Sequence, residues 1–172
     1  MKTSHLLIIT ITFLLFPVAA MAQKSVEGLP DDLDTEKIIF LKYEQIEGDH
    51  NIPYAQRKRN KERNILAGHA NKALKVEAKK YPFSYIISNR SEYAKFAQEG
   101  YKYVLENDMM NAYNYGEVVS AGSQKIFAAP MYLREIATGK RYELFTIKQN
   151  VVYEYAKIMK KFNSMVRKEY DL

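Results

Sequence analysis

The densest chemistry-bearing stretch of the chain is Arg57-Lys58-Arg59-Asn60-Lys61-Glu62-Arg63, five bases and one acid in seven residues. Such a run attracts phosphates, anionic lipid headgroups or acidic polysaccharide by charge alone. The plain alternative is a solvated helix start, because a charge run often does no more than keep a helix wet. Arg57, Lys58, Arg59, Lys61 and Arg63 are the candidate binding residues. The formal net charge of +6 agrees in sign with an anionic partner.

Catalytic patterns are missing at each place where they are sought. His50 sits beside Asp49 in a polar stretch, and His69 falls among apolar residues; no H-E-x-x-H, H-x-H or Cys accompanies them. Metal binding needs three or four ligands at workable spacing, so no metal site is read and His69 is expected half-buried and hydrogen-bonded. Asp32, Asp34 and Glu36 alternate as calcium ligands do, but Lys37 and Tyr43 stand where that loop needs Gly and Glu. No G-x-S-x-G and no S-x-x-K occurs, and Thr138-Gly139-Lys140 lacks the upstream Gly of a P-loop. No cofactor is implied. Asn89-Arg90-Ser91 is a glycosylation sequon, with meaning only in a eukaryote. Any enzymatic reading rests on residues scattered through the fold, with His69, Asp49 and Tyr113 as the first set to consider.

Seven tyrosines crowd the middle of the chain, at 81, 85, 93, 101, 103, 113 and 115. They read either as core-boundary residues or as a binding platform, since the ring packs while the hydroxyl stays wet.

The elements that would position these residues follow a leader. Lys2, the apolar run Leu6 to Phe16, Pro17 and the Ala20-Met21-Ala22 box predict a secretory signal peptide over residues 1–22, cleaved before Gln23. The run is shorter than the roughly 20 apolar residues of a spanning helix. The expected location is periplasmic or extracellular, and the protein is not expected to be integral to a membrane. Export disfavours nucleic acid as a partner. The absence of Cys excludes a disulfide framework and leaves stability to packing.

Residues 23–36 read as an irregular acidic arm, and 37–172 as a single α/β domain. Ile38 to Leu41 is a continuous apolar run that suits a strand covered on both faces. Pro53 opens a long helix that Pro82 bounds, with Ile65, His69, Ala73 and Val76 as its expected core face, widened by Leu66, Ala70 and Leu74. Tyr85 to Ile87 reads as a strand, and Ser91 as the cap of a short helix through Gln98. Tyr101 to Glu106 reads as a strand with Tyr101, Tyr103 and Leu105 on one face. Lys125 to Ile136 and Arg141 to Ile147 read as a hairpin turning at Ala137-Thr138-Gly139-Lys140, with Pro130 marking an edge or a bulge. Asn150 is expected to cap a final amphipathic helix with the stripe Val151, Tyr155, Ile158, Met159, Phe162 and Val166. The class is α/β or α+β: one mixed sheet of about five strands in the order β-α-β-α-β-β-β-α, packed by the long helix and the C-terminal helix. A parallel β-α-β crossover in that sheet should be right-handed.

This order of elements, with the Thr138-Gly139 turn and the closing helix, resembles the accessory domains of bacterial envelope proteins. They are the outer-membrane activators of penicillin-binding proteins, the curli-assembly lipoprotein and the N-terminal domain of TolB. The resemblance covers about residues 36 to 170 and implies a non-catalytic protein that docks onto envelope partners. It carries over no functional residue, and the lipid-bearing Cys of the lipoproteins is absent here. The sequence therefore predicts an exported, non-enzymatic interaction or assembly module with an envelope protein or an anionic envelope polymer as partner. The alternatives are a binder of anionic polymers or membrane surfaces through the basic run, and an enzyme whose site forms no motif.

Overall fold

A computed structural model describes residues 25–48, 51–107, 128–148 and 154–172. The protein has an α/β fold built on one six-stranded mixed sheet in the order β1-β6-β5-β4-β2-β3. Its strands are β1 (Ser25–Glu27), β2 (Lys37–Leu41), β3 (Tyr85–Ser88), β4 (Tyr101–Glu106), β5 (Ala128–Glu135) and β6 (Arg141–Lys148). Helix α1 (Tyr54–Glu77) links β2 to β3, α2 (Tyr93–Gln98) links β3 to β4, and α3 (Tyr155–Glu169) closes the chain. β3, β2 and β4 are parallel neighbours, β4-β5-β6 run antiparallel, and β1 pairs parallel with β6.

The apolar run Ile38 to Leu41 is buried on both faces, as its composition requires. Ile38 and Phe40 enter the main core under α1 and α3 with Leu74, Leu105, Met131, Leu133 and the α3 stripe Tyr155, Ile158, Met159, Phe162 and Val166. Ile39 and Leu41 face the opposite side and meet Val104 and Phe96 of α2. The Tyr155 hydroxyl donates to the Leu41 carbonyl and so pins the start of α3 to the end of β2.

Several local expectations are corrected. The acidic arm supplies a sixth strand, β1, and its Leu33 is fully buried. Asp32 accepts a hydrogen bond from the Tyr103 hydroxyl at 2.7 Å and pairs with Lys102, so this part of the arm is tied to β4. The β2–β4 register shifts between Lys37–Tyr101 and Ile38–Tyr103. That extra residue, Lys102, turns Tyr101 away from the face of Tyr103 and Leu105 and onto Phe96, 5.5 Å between rings. Ser91 does not cap the short helix: it lies inside a 3-10 turn, Arg90–Glu92, that leads into α2 and is itself capped at Asn89, where Glu92 accepts from the Asn89 N–H and, at 2.8 Å, from the Ser88 hydroxyl. Of the two readings of Pro130, the edge is overturned, since β5 is an interior strand, and the bulge holds: Pro130 precedes one at Met131/Tyr132, beyond the last β4 pair at Glu106–Tyr132. Gly139 takes φ +71° in the β5–β6 turn, as that turn demands. The signal segment, Asn150, Val151 and residues 125–127 lie outside the described residues.

Candidate functional site

Helix α1 turns a different face inward from the one its large apolar residues suggest. The buried residues are Ala67, Ala70 and Leu74, continued by Ala78. At 100° per residue this small-residue stripe lies roughly opposite Tyr54, Lys58, Lys61, Ile65, Lys72 and Val76. Those six are in solvent, with Tyr54 74%, Ile65 52% and Val76 55% exposed. The expected core face Ile65-His69-Val76 is therefore the outer face, and His69 is exposed rather than half-buried. Alanines win the inner face because they let the helix sit close to its neighbours.

Two asparagines hold the chain that leaves β2 along the side of this helix. Asn71 accepts from the Tyr43 N–H and donates to the Tyr43 carbonyl, both at 2.8 Å. Asn64 does the same to Ile46, both at 2.9 Å. Seven residues of helix rise about 10 Å, close to the reach of three residues of extended chain, so two side chains satisfy two backbone amides in register. The segment and α1 enclose an open groove of about 680 Å³. Ile46, Ile52 and Ile65 give it apolar wall; Arg57, Lys61 and Lys72 give it positive charge, and among the described residues no acid lines it. It lies between the connection that leaves β2 and the side of α1.

The five predicted binding residues do not form one patch. Arg57 and Lys61 line the groove, and Lys58 joins them in an adjoining depression that Tyr54 and Ile65 also line. Arg59 and Arg63 project from other sides of the helix. Lys72 and His69 were missed as members of the site because they stand outside the run; a helical projection of the charges alone would have added them. Past the end of α1, α3 contributes a second groove of about 580 Å³, lined by Lys80, Lys157, Lys160 and Arg167 together with Glu77, which pairs with Lys80 at 2.8 Å. There Asn163 and Arg167 donate to the carbonyls of Glu77 and Lys80 at 3.2 and 3.3 Å, closing the last turn of α1.

The two helical segments 54–80 and 155–169 hold fourteen Lys and Arg against three Asp and Glu, within a chain that has 26 against 20. The remainder is therefore net acidic, with twelve bases against seventeen acids. The chain's excess of bases is therefore carried by these two helical segments.

The opposite sheet face carries a cluster that the sequence did not announce. Glu106 is 1% exposed; Arg90 donates to one of its oxygens at 2.5 Å and Arg134 to the other. Arg134 also lies 5.0 Å from the centre of the Tyr93 ring. Burial pushes the Tyr93 hydroxyl up, with the nearby Arg134 pulling it down and Glu106 pushing it up. With both carboxylate oxygens occupied, this cluster locks β4 to β5 and to the turn after β3. The tyrosines divide similarly: Tyr81 and Tyr103 are core, while Tyr85, Tyr93 and Tyr101 are partly buried at its edges. Burial pushes the Tyr103 hydroxyl up, and its bond to Asp32 pushes it further.

Of the scattered catalytic set, His69 rims the groove, and Asp49 and Tyr113 lie outside the described residues, as do His50 and Tyr115. Among the described residues no group of three or more His, Asp or Glu could hold a metal ion. Among them, too, no helix is long and apolar enough to cross a membrane. No protein-family model, curated protein or solved structure matches the chain.

Proposed function

We propose that this protein is an exported, non-enzymatic binding module that docks onto an anionic membrane surface through its α1/α3 layer. The single observation that carries the reading is the division of charge: fourteen bases against three acids on the two helical segments, in a chain whose remainder is net acidic. Such a concentration of positive charge steers the protein toward a negative surface and raises the encounter rate. The exposed apolar residues favour a lipid surface over a purely polar polymer. Among the described residues, four of the six large exposed hydrophobics, Tyr54, Ile65, Leu66 and Val76, lie on α1. Lysines between them can lay their stems along the interface while their ammonium groups reach headgroups.

Vesicle flotation tests the reading. Purified protein should float with phosphatidylglycerol vesicles at low salt, be released at high salt, and not float with phosphatidylcholine vesicles. Equal flotation with both lipids would refute a charge-driven surface.

A further inference from the structure

We propose that the groove between the Tyr43–Ile46 side of the β2–α1 connection and α1 is a binding site for one anionic amphiphile. An acidic headgroup, phosphate or carboxylate, would sit among Arg57, Lys61 and Lys72, and its acyl chain would lie against Ile46, Ile52 and Ile65. The inference rests on the anionic-surface reading and names the molecule that its positive layer would single out.

The decisive residue is Gly68. It stands in the middle of a 24-residue α-helix, where glycine costs about 1 kcal/mol relative to alanine. Nothing in the fold asks for it. It has no positive φ, and a Cβ built on it would meet no atom of the described residues within 4 Å. The helix therefore bears a destabilising residue without packing against anything there. The space left by the missing side chain belongs to the groove, which Gly68 lines between Asn64 and Lys72. Glycine in such a place lets a ligand come close to the helix backbone.

The walls define what that ligand is. Three isoleucines bury an alkyl chain; Lys61 and Lys72, beside Arg57 and with no acid among the described lining residues, attract a negative head. A volume of about 680 Å³ lies in the range of small-molecule sites. The asparagine clamps hold the opposite wall in place, since Asn64 and Asn71 fix the backbone at Ile46 and Tyr43 before any ligand arrives. A preformed wall lowers the ordering cost of binding.

Calorimetric titration with octyl phosphate below its micelle concentration tests the site, on protein purified from cells expressing the full chain. Octyl phosphate should bind at least tenfold more tightly than either inorganic phosphate or octyl glucoside, because neither carries both halves of the recognition. Gly68→Leu, which fills the groove floor, should weaken octyl phosphate at least tenfold while its thermal midpoint stays at or above that of the parent. Lys72→Gln, outside the packed face, should weaken it severalfold and supports the same conclusion if the leucine variant does not fold. Unchanged affinity in both variants, or equal affinity for octyl glucoside, would overturn the site. Vesicle flotation run alongside separates the two readings. Flotation on phosphatidylglycerol without octyl phosphate binding overturns the groove and leaves the surface standing. Octyl phosphate binding without flotation supports the groove for a free amphiphile and overturns the surface.

Discussion

On the α2 side of the sheet, Glu106 is 1% exposed and each of its oxygens is held by an arginine. On the α1/α3 side, Lys58, Lys61 and Lys72 stand in solvent without an ion-pair partner among the described residues. The two regions spend charge differently. A buried, fully paired carboxylate fixes strands and a turn relative to one another. Exposed cations of one sign repel each other slightly and contribute little to the fold, so their accumulation on one layer is better explained by an external partner. The contrast predicts that substitutions on the first face cost stability and substitutions on the second cost binding.

The largest expected effect is therefore Glu106→Gln. It leaves two arginines facing a neutral amide in a mostly buried site and should lower unfolding free energy by about 3 kcal/mol, read by urea denaturation. A loss under 1 kcal/mol would erase the distinction drawn above. Asn71→Ala comes next. It strips partners from both the N–H and the carbonyl of Tyr43 and should cost about 1–3 kcal/mol, while leaving Glu106 and its arginines untouched. Gly68→Ala should raise stability by about 0.5–1 kcal/mol, since it supplies helix propensity at a site with free space.

A smaller effect concerns acid. Burial pushes the Asp32 carboxyl up, but hydrogen bonds from Lys102 and Tyr103 more than reverse this and hold it below its ordinary value. A lowered folded pKa gives stability that is complete above the unfolded value, near 4, and is lost as pH falls through the folded one. Asp32 is 39% exposed, so solvent screens the pair and the contribution is about 1 kcal/mol or less. Asp32→Asn should accordingly be slightly less stable than the parent at pH 7, with the difference shrinking below about pH 4 in acid titrations of the unfolding midpoint. Smallest of all, Lys58→Gln should change stability by no more than about 0.5 kcal/mol in the same denaturation assay.

Much of the architecture was readable from the residues. Ile38 to Leu41 has no polar alternation, which fits a strand covered on both faces, and Pro53 and Pro82 bracket α1 because neither can continue a helix. The α3 stripe is large and regular enough to leave one packing solution. The failures share a physical origin. Periodicity weights big side chains, so Ile65 and Val76 outvoted the alanines that actually pack. β1 is three residues at a sheet edge and is stabilised by pairing with β6, not by its own composition. The Lys102 bulge depends on register between strands 60 residues apart in sequence. For the candidate site, the run 57–63 was visible as charge. The role of Asn64 and Asn71 was not, because their partners are backbone amides that carry no sequence identity. Arg90, Glu106 and Arg134 come together only once the sheet is formed.

The most direct measurement is the affinity for phosphatidylglycerol vesicles as a function of salt, for the parent and for the Lys58→Gln/Lys61→Gln/Lys72→Gln variant. Parent binding should weaken steeply as salt rises, as screened charge requires, and the variant should bind at least tenfold more weakly at low salt with an unchanged unfolding midpoint. Parent binding that ignores salt, or a variant that binds as tightly as the parent, would contradict a charge-driven surface.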